Sequence, residues 1–228
     1  MSTTVYAVVA VKSLDRAKSR LAAVLPPAGR ARLVLAMLAD TLAAVEQAGN
    51  VAATTVVTPD PRVADLARRH GAHVLDEPIA AAADSLELLN TALAHAAHDV
   101  RDRHGPVHLL ALQPDLPSLR PDELDEMLCA ATDERNSVVV DHHGTGTAAL
   151  VWRTAAEPLR PQFGPDSARR HLDAAAVELT GTWPGLRLDV DTPDDLDLAV
   201  QLGVGPATRE ALTAIDWRRA SALDRPLR

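Results

Sequence analysis

A chain of 228 residues with 47% apolar side chains has enough to bury one sizeable core, the scale of a single α/β domain over residues 1–228. Aromatics are only 2%, so that core is Ala, Leu and Val, and a net charge of −8 excludes the basic surface of a general nucleic-acid binder while allowing a small phosphorylated ligand held by local cations. No apolar run reaches the roughly eighteen residues of a membrane span, no basic-then-apolar leader opens the chain, and the single Cys129 excludes an internal disulfide, so the expectation is a cytoplasmic protein that engages no membrane.

Taken in order, Val5–Val11 is a continuous apolar run and predicts a buried first strand. A basic loop follows, Lys12 to Arg20. Pro26-Pro27 then leads a helix from about Ala28 to Ala48, with Leu35, Leu38, Leu42 and Val45 at helical spacing. Thr54–Thr58 is β-branched and predicts a second strand. Pro61–His70 predicts a helix ended by Gly71, and Ala72–Leu75 a short third strand. Ser85–Val100 predicts a helix and Val107–Leu112 a fourth strand, which runs into Gln113-Pro114-Asp115-Leu116-Pro117. Pro121–Ala131 predicts a helix in which Cys129 reads as a buried small hydrophobe. Ser137–Val140 and Ala148–Trp152 are strands around the turn Asp141–Thr147. Asp166–Ala175 is helical, Val177–Thr180 and Leu186–Val190 are strands, Pro193–Leu202 is a helix, and one more helix comes after Gly205. Alternating strands and helices predict a mostly parallel sheet with helices on both faces, with an antiparallel addition in the second half.

Ligands of open α/β sheets bind beyond the carboxyl ends of strands, and three polar segments fall there. The first is the loop with Lys12, Arg16, Lys18 and Arg20. It lacks glycine, which excludes a dinucleotide fingerprint and a Walker loop, but its cations suit a polyphosphate. The second is Asp115, held between Pro114 and Pro117. The third is Leu188-Asp189-Val190-Asp191-Thr192-Pro193. Read as a strand end, it puts Asp189 and Asp191 on one side, with Thr192 capping the next helix and Pro193 at its first position. Three carboxylates at neighbouring strand ends suit a hard divalent ion such as Mg²⁺, which prefers carboxylate oxygens and arrives with phosphates. Gly144-Thr145-Gly146-Thr147 and Phe163-Gly164-Pro165-Asp166-Ser167 offer backbone amides and hydroxyls to an anion, Ser167 at a predicted helix start. His142 and His143 read as exposed loop histidines, since neighbours in a strand point apart and no third ligand has zinc-like spacing.

In this order the segments resemble the phosphoenolpyruvate / 2-phospho-L-lactate guanylyltransferase family, which makes the phosphodiester precursor of the deazaflavin coenzyme F-420. The resemblance rests on Val8–Lys12 with Ala17-Lys18-Ser19-Arg20-Leu21, on Ala36–Leu42, Leu89–Leu93, Asp115-Leu116-Pro117 and Gly144–Thr147, and on Phe163–Ser167 and Asp189–Pro193. It implies a glycosyltransferase-A-like nucleotidyltransferase fold. It also implies Mg²⁺ on Asp115, Asp189 and Asp191, a phospho-acid site at Thr147, Gly164 and Ser167, and a nucleotide side with Lys12, Lys18, Arg20 and Asn90. The implied reaction moves GMP from GTP to phosphoenolpyruvate, with Asp115, Lys12 and Lys18 as the catalytic residues. Acceptors such as 2-phospho-L-lactate and 3-phosphoglycerate differ by so little that a pocket separates them by only ~1–3 kcal/mol. A glycosyltransferase of related fold and a non-catalytic GTP-binding module are the competing readings. An Ala/Leu-rich surface helix is compatible with a homodimer.

Overall fold

The strand β1 (Val5–Ala10) alternates its side chains between two cores. Val5, Ala7 and Val9 join one apolar cluster and Val8 and Ala10 the other, as the period-two geometry of a central strand requires. The computed structural model describes residues 4–16, 18–78, 85–132, 134–155 and 157–217. Within the expected domain, residues 1–3, 17, 79–84, 133, 156 and 218–228 lie outside that description.

After β1 the basic loop is two single turns of 3₁₀ helix, Leu14–Arg16 and Ser19–Leu21. Then come α1 (Pro27–Gln47), β2 (Val51–Val57), α2 (Pro61–Arg69), β3 (His73–Leu75), α3 (Ser85–His104), β4 (His108–Leu112) and α4 (Pro121–Ala130). The second half supplies β5 (Ser137–Val140), β6 (Thr147–Trp152), α5 (Ser167–Asp173), β7 (Val177–Glu178), α6 (Pro184–Arg187), α7 (Pro193–Leu202) and α8 (Pro206–Ala214). The described strands form one sheet in the order β3-β2-β1-β4-β6-β5-β7. β1 pairs parallel with β2 and β4, β2 with β3, and β5 with β7, while β6 runs antiparallel to both β4 and β5. Residues of α1, α2, α4, α7 and α8 enter the core on one face, and those of α3 on the other. The expected mixed, mostly parallel sheet with helices on both faces is what forms. No helix among the described residues is long and apolar enough to cross a membrane.

The reversal at β6 matters for the site. Leu112 at the end of β4 lies opposite Ala149 near the start of β6, so Thr147 opens β6 at the same sheet edge where the Asp115 turn leaves β4. Gln113 donates from its backbone N to Ala148 O (3.1 Å) and from Nε2 to Thr147 O (3.2 Å).

Two expectations are corrected. Leu186–Val190 is not a strand: Trp183 precedes the short helix α6, and residues 188–190 run on without a strand partner. The reason is local packing. Pro184 favours the first helical position, Gly185 N donates to Glu123 Oε1 (3.0 Å), and a Cβ on Gly185 would run into the Ser118 carbonyl. Gly185→Ala is therefore expected to cost roughly 3 kcal/mol through overpacking, read as a lowered melting temperature; an unchanged value would mean that the contact relaxes freely. Secondly, Cys129 is exposed, because Leu124, Met127 and Leu128 take the buried face of α4. The large apolar side chains of α1 turn inward: Leu33, Met37, Leu38 and Leu42 are at most 3% exposed. Its Asp40 even caps α8, accepting from Ala207 N (3.0 Å) and Thr208 N (2.7 Å).

Candidate active site

Asp115 sits in the turn after β4 and is only 8% exposed. The turn is fixed on both sides. Leu116 N donates to Thr41 Oγ1 of α1 (3.1 Å), and Val190 N donates to the Asp115 carbonyl (3.1 Å). That second bond ties the unpaired 188–190 stretch to the β4 end, so Asp189 and Asp191 reach Asp115 without a strand between them. The start of α7 fixes Asp191 from the other side. Thr192 accepts from Asp195 N (3.2 Å), and Asp195 Oδ2 accepts from Asp191 N (3.0 Å) and Thr192 N (2.8 Å), a capping box that satisfies helix-end donors.

Lys18 is the residue that the basic loop delivers. Its backbone is left-handed (φ 51°, ψ 50°), a conformation a non-glycine residue keeps only where its surroundings hold it. Its Nζ is bonded to Asp115 Oδ2 and donates to Asp191 Oδ1 at 2.7 Å. Arg20 Nη1 adds a bond to Asp191 Oδ2 at 3.3 Å. Burial disfavours charge on Lys18, yet Asp115 and Asp191 outweigh it and hold the ammonium protonated far above its ordinary range. Burial, with Asp189 and Asp191 nearby, pushes the Asp115 carboxyl up against the pull of Lys18. Lys18 overcomes burial at Asp191 and holds that carboxyl down.

These bonds leave two carboxylate oxygens without a donor. Asp115 Oδ1 and Asp189 Oδ1 are buried and accept no hydrogen bond among the described residues. Two such orphaned hard oxygens beside a third carboxylate fit a hard divalent cation. A cavity of about 490 Å³ opens beside them, lined by Val11, Lys12, Ser13, Lys18, Gln113 and Asp191 among others.

The remaining expected residues form a second group. Asn90, expected on the nucleotide side, has its amide bonded to the Phe163 backbone. Its Oδ1 accepts from Phe163 N (2.8 Å), and its Nδ2 donates to Phe163 O (3.1 Å). It straps α3 to the loop before α5, and Leu86 of α3 lies against Gly164, whose φ of 121° suits glycine. Ser167 N donates to Gly164 O (3.1 Å), and Ala168 N donates to Thr145 O (3.1 Å). These bonds bring the Thr147 turn, Gly164 and Ser167 together, with Thr147 and Ser167 both buried.

Sequence reasoning missed His171. It is 2% exposed, its Nε2 accepts from Gln162 N (2.9 Å), and its Nδ1 lies 3.0 Å from Thr147 Oγ1. The available signal was its place four residues after Ser167, on the same helix face. Burial, helped by the Arg170 charge, holds its pKa down to about 4. A histidine depressed in the folded state contributes fully above its unfolded value of about 6.5 and loses that contribution as pH falls toward 4. The chain should therefore lose about 2 kcal/mol between pH 7 and pH 5 that His171→Asn does not lose. Urea titrations of both proteins at the two pH values check this, and equal losses would refute it.

His143 is exposed in its loop as expected, but the two histidines do not point apart. Both turn toward Asp195, with Nε2 atoms 3.0 and 3.2 Å from its Oδ1, and their ring centroids lie 3.8 Å apart with the planes tilted by 39°. The strand rule does not apply, because residues 141–146 are a turn. His142 is half-buried, and its Nδ1 lies 3.6 Å from Asp189 Oδ1. Asp189, together with Asp195, raises its pKa to about 9 despite burial.

Solved structures share this architecture. A protein from Desulfovibrio desulfuricans G20, assigned as a nucleotide-diphospho-sugar transferase, superposes with a TM-score of 0.67 at 14% identity, covering 96% of this chain and 98% of its own. A nucleotidyl transferase from Methanothermobacter superposes at 0.56 with 17% identity, covering 87% and 97%. The fold is that of the nucleotidyltransferases. The chain belongs to the family described as guanylyl transferase CofC like, whose model matches residues 5–222. A relative from Nocardia farcinica named phosphoenolpyruvate guanylyltransferase is 61% identical over 213 residues, 93% of this chain and 92% of that protein. One from Rhodococcus jostii, named phosphoenolpyruvate guanylyltransferase 1, is 53% identical over 223 residues, 95% and 96%.

Proposed function

We propose that this chain is a single-domain phosphoenolpyruvate guanylyltransferase, acting in the cytoplasm in coenzyme F-420 biosynthesis. It transfers GMP from GTP to phosphoenolpyruvate, giving enolpyruvyl-diphospho-5'-guanosine and pyrophosphate. The observation that carries the reading is Lys18 bonded to both Asp115 and Asp191 at the rim of the cavity, with Asp189 close enough to act on the Asp115 carboxyl. The full-length likeness to proteins bearing that name supports the choice of base and acceptor.

In the transfer, an oxygen of the acceptor's phosphate forms a bond to the α-phosphorus of GTP, and the bond to the β-phosphate's bridging oxygen breaks. The nucleophile is already an anion, so no strong base is needed; the obstacle is repulsion between anions. Lys12, Lys18 and Arg20 bring positive charge to the side where pyrophosphate departs. Mg²⁺ held by Asp115, Asp189 and Asp191 would neutralise and help align phosphate oxygens when bound. Thr147, the Gly164 amide and Ser167 hold the acceptor's phosphate or carboxylate, which makes attack effectively intramolecular.

The test is pyrophosphate release from GTP and Mg²⁺, with phosphoenolpyruvate, 2-phospho-L-lactate and 3-phosphoglycerate offered separately and ATP as control. Release with GTP and phosphoenolpyruvate is expected. Release with another acceptor would keep the chemistry and change the acceptor. GTP binding with no release from any acceptor would overturn the enzyme reading.

A further inference from the structure

We infer that His171 is a positioning residue that commits the Thr147 hydroxyl to donate its hydrogen to an anionic oxygen of the acceptor. The inference rests on the proposed acceptor site at Thr147, Gly164 and Ser167.

A backbone group sets the tautomer. Gln162 N–H can only donate, and it points at His171 Nε2 at 2.9 Å. Nε2 must therefore carry the lone pair. A neutral imidazole then has its hydrogen on Nδ1, and Nδ1 lies 3.0 Å from Thr147 Oγ1. So Nδ1–H donates and the hydroxyl oxygen accepts. No other hydrogen bond reaches this hydroxyl among the described residues. Its own hydrogen is left for a ligand.

Three features keep the imidazole in this state. The ring is buried, the edge of the Phe163–His171 pair packs at 5.4 Å and 74°, and Arg170 next to it opposes a second positive charge. The strap from Asn90 to Phe163 N and O holds the residue beside Gln162, so the direction of the Gln162 N–H is set by α3. A hydroxyl that already accepts from a fixed donor is preorganised to donate to a phosphate or carboxylate oxygen, and needs no reorientation when the anion arrives.

Two replacements separate the two ends of the ring. Asparagine places an amide near Nδ1 and keeps a donor for Thr147, but cannot reach Gln162 N. Glutamine reaches the Nε2 position and keeps an acceptor for Gln162 N–H, but leaves Thr147 without its donor. Steady-state kinetics with phosphoenolpyruvate and GTP are compared for Thr147→Val, His171→Asn, His171→Gln and the double variant Thr147→Val/His171→Gln. Thr147→Val and His171→Gln are expected to raise KM for phosphoenolpyruvate about 10- to 100-fold, with KM for GTP within about 2-fold of the unaltered chain. His171→Asn should stay within about 3-fold, and the double variant should be no worse than Thr147→Val alone. If His171→Asn is as impaired as His171→Gln, or the double variant multiplies the single effects, His171 is only a strut for the loop and the inference is wrong. If Thr147→Val raises KM and His171→Gln does not, the inference falls alone. If Thr147→Val leaves KM unchanged, the acceptor-site reading falls and takes the inference with it. Nitrogen-15 correlation of the His171 ring in the unaltered protein needs no variant to fold. It should show a protonated Nδ1 and an unprotonated Nε2 at neutral pH, and the opposite tautomer overturns the inference.

Discussion

Asp115→Asn is expected to lower turnover by about 10³-fold or more while leaving the fold intact. The change is isosteric and keeps the backbone bonds of the turn, Val190 N to Asp115 O and Leu116 N to Thr41 Oγ1. It removes one buried carboxylate from a cluster in which burial and two neighbouring carboxylates already push Asp115 upward. The melting temperature should change little, because relief of the repulsion from Asp189 and Asp191 is set against loss of the charge opposite Lys18, whose ammonium keeps Asp191. Activity loss with unchanged stability is the signature of a group that serves chemistry. Pyrophosphate release and calorimetry on the same preparation measure both quantities. Near-normal turnover would remove Asp115 from the reaction, and the same experiment on Asp189→Asn tests the second orphaned oxygen.

Lys18→Met should fail in the opposite way, losing stability as well as turnover. Methionine keeps most of the apolar stem but removes the charge that bridges Asp115 and Asp191. Breaking a buried pair leaves uncompensated charge and costs about 3–5 kcal/mol, on the order of 10 °C in melting temperature for a chain of this size. Millimolar Mn²⁺ or Mg²⁺ should recover more of that loss than it adds to the unaltered chain, since a divalent ion then has no ammonium to compete with. Thermal melts with and without the ion decide this. An unchanged melting temperature, or an equal ion effect in both proteins, would show that Lys18 does not balance the carboxylates.

These two residues show how far the sequence could be read. Asp115 was legible because an apolar strand ends there and Pro114 and Pro117 stiffen the turn around it. Lys18 was one of four cations in a loop, set apart with Lys12 only by the family resemblance; only the fold brings residues 97 and 173 positions away to its ammonium. The α7 cap was legible in Thr192-Pro193-Asp194-Asp195, because capping is a contact between near neighbours. The route into it was not. Asp189 and Asp191 were expected to share a strand face. In the structure Asp191 bonds Lys18 and Arg20, and Asp189 lies against His142, because residues 188–190 come after a helical turn and pair with no strand. Asn90 was singled out only through the family resemblance, and only tertiary packing shows that its amide serves the Phe163 backbone.

The order of residues along the chain is enough to specify the alternation of strands and helices, the two-sided burial of β1, the turn at Asp115 and the start of α7. Each arises from periodicity or from bonds between residues a few positions apart, which a linear pattern records. Which cation meets the carboxylates, the contact of Asp189 with His142, the turn of His142 and His143 toward Asp195, and the place of His171 behind Thr147 all emerge only on folding. Those are contacts across tens of residues. Their partners are selected by the packing of the sheet and its helices, so no spacing along the chain encodes them.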